Sequence, residues 1–158
     1  MWTVSVDGSW CAEGAGAGAV LETPDGARTS FAARLEFEAT NNIAEYEALL
    51  LGLRKARAAG ARRVLVKSDS QLIVGHVDKS YQAKEPEMIK YLAMARAMEK
   101  HFSGFTVRPI PRGENVEADR LARAASTAVG LPPDAFYEVL KTRVTKELPE
   151  VNAIALQD

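Results

Sequence analysis

The sequence predicts an α/β fold: a five-stranded mixed sheet, three antiparallel strands first and then strands joined through helices, with helices flanking it. Three observations carry this reading. Residues 2–37 alternate apolar and polar positions around turn residues, the period of half-buried strands. From Asn42 the apolar period becomes helical. A short apolar run, Val64-Leu65-Val66, then falls between two helical stretches, as a buried central strand does.

Trp2-Thr3-Val4-Ser5-Val6 alternates and stops at Asp7-Gly8, a turn dipeptide. Gly14-Ala-Gly-Ala-Gly-Ala-Val20-Leu21 has the glycines of a phosphate loop. It lacks the Lys-Ser/Thr pair and following helix that such a loop needs. Residues 16–22 therefore read as a glycine-rich strand, closed by a hairpin turn at Pro24-Asp25-Gly26. Residues 27–37 supply the third strand.

Ile43, Tyr46, Leu49, Leu50 and Leu53 recur at helical spacing from Asn42 to about Ala59, and Ala44, Ala48 and Leu51 make the opposite side apolar. Such a helix is buried in its first turns. Gly60 stops it. The strand at Val64-Leu65-Val66 ends at Asp69, and a short helix with Leu72, Ile73 and Val77 follows. Pro86 opens another helix, with Met88, Leu92, Ala95 and Phe102 along one face. Phe105 to Ile110 reads as the fifth strand, and Asn115 to about Val129 as the last helix. Leu131-Pro132-Pro133 then breaks the pattern. The expected organisation is one domain over 1–129 and a linker or tail over 130–158.

The 158 residues are 47% apolar and 26% charged, the balance of a globular domain large enough to bury a core. Twenty basic residues against twenty-one acidic ones give a net charge of -1, which excludes a polybasic binder working through bulk charge. One cysteine, Cys11, excludes an intrachain disulfide or a cysteine zinc site. Two histidines cannot build a histidine metal centre unaided. These counts suggest a reducing, intracellular setting. No apolar run reaches the roughly 20 residues that span a membrane, and the first residues lack a signal-peptide pattern.

Four acids stand at the ends of the expected elements: Asp7, Glu45, Asp69 and Asp119. Open α/β sheets gather ligands at strand carboxyl ends and the adjacent helix starts. Two carboxylates about 4 Å apart repel by roughly 4 kcal/mol at an effective dielectric near 20. Divalent cations relieve that repulsion, and all-oxygen ligands favour Mg²⁺ or Mn²⁺. Each acid also has a structural explanation. Asn42-Ile-Ala-Glu45 fits a capping box. Asp69-Ser70 suits a helix cap, and Asp119 complements a helix dipole. The residues around them decide between the readings.

Those residues are Val6-Asp7-Gly8-Ser9, Gly16-Ala-Gly-Ala-Val20, Thr40-Asn-Asn-Ile-Ala-Glu45-Tyr-Glu-Ala-Leu49, Ser68-Asp69-Ser70-Gln71-Leu72 and Pro111-Arg-Gly-Glu-Asn115-Val-Glu-Ala-Asp119-Arg-Leu-Ala. Together, in this order, they resemble type 1 ribonuclease H over residues 1 to about 128. The wording is most similar to the archaeal-like ribonuclease H domains of plant gypsy-class LTR retrotransposon polyproteins, and Glu147 to Ile154 resembles the polyprotein sequence that follows such a domain. The resemblance implies a ribonuclease-H-like fold and a metal-dependent endonuclease that cuts the RNA strand of RNA–DNA hybrids, leaving 5′-phosphate and 3′-hydroxyl ends. It implies two Mg²⁺ ions, replaceable by Mn²⁺. Asp7 would bridge both, Glu45 and Asp69 would complete the ion on the leaving-group side, and Asp119 would share the other. It assigns Asn41, Asn42 and Gln71 to the minor groove of the hybrid, and Thr40 with Asn42 to a DNA-phosphate pocket. It also suggests a linked reverse transcriptase domain and an isolated domain that is a monomer, in cytoplasm, nucleus or a retroelement particle.

Two departures stand out. Many bacterial members place a histidine on the loop before the last helix, where this chain has Pro109. The stretch from Asp69 to Pro109 is also too short for the bacterial enzymes' basic handle. His76 is expected on a solvated helix face and His101 at a helix C-terminus. The one basic cluster, Arg54, Lys55, Arg57, Arg62, Arg63 and Lys67, is either a solvated face or a phosphate-tracking patch. The alternative function is a non-catalytic tether or binding module; loss of one of the four acids would favour it, and none is lost. A proofreading-type exonuclease needs Asp-x-Glu and an aspartate phosphatase Asp-x-Asp, where the chain has Asp7-Gly8-Ser9.

Overall fold

The computed structural model describes residues 1–146. Strands β1 (Trp2–Cys11), β2 (Gly14–Glu22) and β3 (Arg28–Leu35) form the expected antiparallel meander. Helix α1 (Asn41–Ala58), strand β4 (Arg63–Ser68), helices α2 (Gln71–Val77) and α3 (Pro86–Glu99), strand β5 (Gly104–Pro109) and helix α4 (Val116–Thr127) follow. A further strand, β6 (Phe136–Leu140), completes a six-stranded sheet in the order β5-β4-β1-β2-β3-β6.

Strand β1 runs parallel to β4 with Val6 opposite Ser68. The next residue of β1 is Asp7 and the next after β4 is Asp69, so the two acids stand side by side where the β1–β4 pairing stops. Asp7-Gly8 is not the turn expected there: β1 continues to Cys11, because β2 pairs with it along Asp7 to Cys11. The helices cover both faces. On one, Tyr46, Leu49, Leu50 and Leu53 of α1 are completely buried or nearly so, and Gly52 lets α1 close down on Val4 and Val6. On the other, α4 lies directly on the backbone of β2. A Cβ at Gly18 would stand 2.8 Å from the Ala122 nitrogen, and one at Gly16 2.6 Å from that of Ser126. The glycine-rich stretch is therefore where a helix packs on a sheet at closest range, and this brings Asp119 down to the level of Asp7.

The sheet has six strands where five were expected. The sixth comes from the segment read as linker: β6 runs parallel to β3, with Phe136 opposite Phe31. Their rings stack at 5.5 Å, and Lys55 reaches Glu138 at 3.7 Å. The chain then turns back over α1, where Val144 N donates to Glu47 Oε2 at 3.1 Å and Arg143 pairs with Glu87 at 2.7 Å. Phe-Tyr-Glu-Val-Leu has no clear alternation, and the partners that order it are remote in sequence. The polyprotein-like wording from Glu147 to Ile154 lies outside the described residues.

His76 is buried, not solvated. Its Nδ1 is 2.6 Å from the Tyr46 hydroxyl, the two rings stack, and α2 packs against both α1 and α3. His101 is exposed just past α3. No helix among the described residues is long and apolar enough to cross a membrane.

Candidate active site

The four expected acids line one open cleft of about 430 Å³ at the carboxyl end of the central strands. Asp7 and Glu45 are buried, and Asp69 is half-buried. One carboxylate oxygen from each of these three lies within 4.8 Å of those from the other two. Asp119, one turn into α4, completes the cleft.

Each acid is placed by a local cause. Asp7 follows Val6 out of the β1–β4 pair. Glu45 does not close a capping box. The cap of α1 is Thr40, whose Oγ1 accepts from Ile43 N at 3.1 Å, and the helix starts at Asn41. Glu45 is thereby free to turn toward β1, where it accepts from the Gly8 backbone N–H. Gly8 has to be a glycine, because a Cβ there would meet the Ala44 oxygen at 2.6 Å. The Gly8 N–H also lies 3.0 Å from Asp7 Oδ1. Ser70, not Asp69, caps α2, accepting from Ile73 N at 3.2 Å.

The electrostatics match this crowding. Burial, then the charge and hydrogen bond of Glu45, then Asp69 and Asp119, push the Asp7 carboxyl up to about 9. Burial also raises Glu45. The cleft carries two guanidinium groups, Arg112 and Arg123. Arg123 is held by Asp119, Nε to Oδ1 at 3.0 Å. Arg112 is exposed and, among the described residues, has no ion pair. An all-oxygen donor set with this excess of negative charge fits divalent cations of the Mg²⁺ or Mn²⁺ type.

The other expected contact residues are spread more widely. Asn41 lines the cleft. Thr40 and Asn42 are exposed at the start of α1, outside it, and the Thr40 hydroxyl is occupied by its cap. Gln71 is exposed at the start of α2 and lines a neighbouring hollow of about 150 Å³ with Tyr81 and Pro109. The basic cluster lies mostly away from the site, Lys67, two residues before Asp69, being the exception. Arg57 is twelve residues along α1 from Glu45, roughly 18 Å at the helical rise. Arg62 and Arg63 are at the opposite end of β4 from Asp69.

Asn115 has a role that its position in the sequence concealed. It directly precedes α4 and is a common capping type, yet its side chain makes no cap bond. Buried instead, its Nδ2 donates to the Val6 carbonyl at 2.9 Å and lies 3.5 Å from Asp69 Oδ2. Trp10, on the cleft wall, carried no signal beyond being an aromatic residue near a turn, and Arg112, also there, was legible only as part of the block from Pro111 that carries the resemblance.

The layering of this sheet and the acids at its centre define a ribonuclease-H-like domain. A family model described as reverse transcriptase-like matches residues 5–125, and the chain belongs to that family. It is 31% identical over 111 residues to the ribonuclease HI of Halobacterium salinarum, covering 70% of this chain and 56% of that protein. It is 36% identical over 115 residues to a bifunctional protein of Mycobacterium tuberculosis, covering 72% of this chain and 32% of that one. The chain thus spans about a third of the length of the mycobacterial relatives it matches. Among solved structures, the N-terminal ribonuclease H domain of the mycobacterial protein matches with a TM-score of 0.71 at 34% identity, covering 80% of this chain and 94% of that one. The ribonuclease H1 called LC11, solved in complex with an RNA/DNA hybrid, matches with a TM-score of 0.74 at 29% identity, covering 81% and 98%.

Proposed function

We propose that this domain is a ribonuclease H: a metal-dependent endonuclease that hydrolyses the RNA strand of RNA–DNA hybrids, leaving 5′-phosphate and 3′-hydroxyl ends. The observation that carries it is the convergence of Asp7, Glu45 and Asp69 within 4.8 Å, with Asp119 in the same cleft, on a sheet shared with ribonucleases H. Asp7, Glu45, Asp69 and Asp119 would hold two Mg²⁺ ions, with Mn²⁺ as a substitute. Bound there, such ions supply an activated water and charge neutralisation for the leaving oxygen.

The protein's own groups prepare this site. The Gly8 N–H fixes the Glu45 carboxylate, and Asn115 ties the β1 carbonyl before Asp7 to the start of α4. Asn41, beside the acids, and Gln71, at the start of α2, offer neutral amides to base edges and ribose hydroxyls, which registers a strand without reading its sequence. Thr40 and Asn42 at the α1 terminus suit a DNA phosphate. Arg112 is positioned for a phosphate of the strand in the cleft.

Such a substrate arises inside cells, so the proposed setting is intracellular. The motif wording supports a retroelement polyprotein with a linked reverse transcriptase. The bacterial and archaeal relatives favour a cellular enzyme, alone or fused to a second domain. The test is a gel with labelled hybrid, single-stranded RNA and duplex RNA, each with Mg²⁺, Mn²⁺ or EDTA. Internal cuts in the RNA of the hybrid alone, lost in EDTA, are expected. Equal cleavage of single-stranded RNA, or none of the hybrid, would overturn the proposal.

A further inference from the structure

Trp10 is 57% exposed, although it stands in the wall of the carboxylate cleft. It belongs to neither hydrophobic cluster of the described residues and stacks on no other ring there. Single exposed aromatics are ordinary on protein surfaces. This one differs in where it is held.

Side chains alternate along β1, so Trp10 shares a face with Gly8. That face is the one on which Gly8 meets the backbone of α1 at Ala44 and Glu45. Two residues further on, Trp10 stands on the same side of β1 as α1, whose first residue, Asn41, lines the same cleft. Gly8 has no side chain to come between the indole and Glu45. The strand holds Trp10 in place through its register with Ala15 in β2. It lies three residues from Asp7, about 10 Å at the rise of a strand.

A ligand reaching from the carboxylates to this point is in contact with a large, flat, uncharged surface carrying one N–H donor. The phosphates of a nucleic acid strand would be drawn to the metal ions and to Arg112. The indole suits the uncharged part of the strand that a hybrid duplex leaves exposed in its shallow minor groove, the riboses and base edges. We propose that Trp10 is a substrate-contact residue, packing against ribose and base edge of the strand whose phosphate lies at the carboxylates. The inference rests on the hybrid-cleaving reading above and adds to it a residue that sets affinity for the cut strand.

The chain has two tryptophans, and Trp2 is packed against the core, so a Trp2→Phe background leaves Trp10 as the reporter. With Asp69→Asn added to block cleavage, titrating a short blunt hybrid in Mg²⁺ should change Trp10 emission saturably and protect it from acrylamide. In the otherwise unmodified chain, Trp10→Ala should raise KM for the hybrid roughly tenfold with kcat within about twofold, and Trp10→Phe should recover most of the loss. The melting temperature of both variants should stay near wild type, since Trp10 supports no core. Unchanged emission at hybrid concentrations that saturate binding by anisotropy would overturn the assignment. So would an unchanged KM in Trp10→Ala when the wild type cuts the hybrid, and in that case the ribonuclease reading stands. No cutting by the wild type overturns that reading instead, and the emission titration then decides the fate of Trp10 separately.

Discussion

Asn115 Nδ2 donates to the carbonyl oxygen of Val6 at 2.9 Å, joining the start of α4 to the residue before Asp7. The same nitrogen lies 3.5 Å from Asp69 Oδ2. One buried amide thus touches or adjoins the supports of three of the four acids. Asn115→Ala removes this donor from the buried Val6 carbonyl, which should cost about 1–3 kcal/mol of stability. It should also weaken metal-induced stabilisation, because β1 and α4 lose their common anchor. Thermal melts with and without Mg²⁺ measure both effects. A stability loss with an undiminished metal response would limit Asn115 to a structural tie.

The Asp7 carboxyl is pushed from 3.8 up to about 9, first by burial and then by Glu45 and the other acids. Between those values the folded state keeps a proton that the unfolded state has released. The stabilising contribution is complete below the lower value and is lost as pH rises through the higher one. In EDTA, Asp7→Asn should therefore gain on wild type as pH rises, reaching about 1–3 kcal/mol near pH 8. Urea melts between about pH 5 and pH 8 measure the difference. A gap that stays constant over that range would contradict the crowded-carboxylate account.

Arg57, Arg62 and Arg63 lie at the far end of α1 and β4 from the acids, and Arg112 lies in the cleft. Replacing the first three with Gln should leave the salt dependence of hybrid binding unchanged. Arg112→Ala should flatten it by about 0.7–0.9 in log–log slope, the value for one phosphate contact. Anisotropy titrations over a range of salt concentrations separate the two groups. The reverse pattern would make the basic cluster the phosphate track.

Gly18 faces the α4 backbone with no room for a methyl group. Gly18→Ala should push α4 off the sheet and destabilise the fold by about 1–3 kcal/mol, the range for overpacking. Asp119 rides on α4, so hybrid cleavage should fall further than the stability loss explains. Urea melts and cleavage rates on the folded fraction test this, and a neutral substitution would contradict the close packing of α4 on β2.

Much of this arrangement is legible in the sequence because it is local. Val64 to Val66 is apolar until the strand gives way before Asp69, so that acid falls where a strand ends. Asp7, expected at the end of Trp2 to Val6, instead lies inside a strand that its pairing with β2 carries on to Cys11. The helical spacing of Leu49, Leu50 and Leu53 identifies the buried helix that carries Glu45. What stayed hidden depends on distant partners. Phe136 to Leu140 becomes a strand only against Phe31 to Leu35. His76 is buried because α2 packs between α1 and α3 and Tyr46 supplies its hydrogen bond. Glu45 fits a capping box in sequence, yet Thr40 makes the cap and Gly8 receives the carboxylate. Asn115 has the residue type and position of a cap, but its amide is used across the sheet.

The central claim is that Asp7 and its neighbours hold the ions that cut the RNA strand. Single-turnover cleavage of a labelled RNA–DNA hybrid by wild type and Asp7→Asn, each in saturating Mg²⁺, tests it most directly. The account predicts internal RNA cuts with 5′-phosphate ends by the wild type, a loss of at least ~10³-fold in Asp7→Asn, on the scale of removing a group that acts on the transition state, and a folded variant whose melting temperature no longer responds to Mg²⁺. Cleavage by Asp7→Asn at the wild-type rate, or an unaltered Mg²⁺ response in the variant, would contradict it.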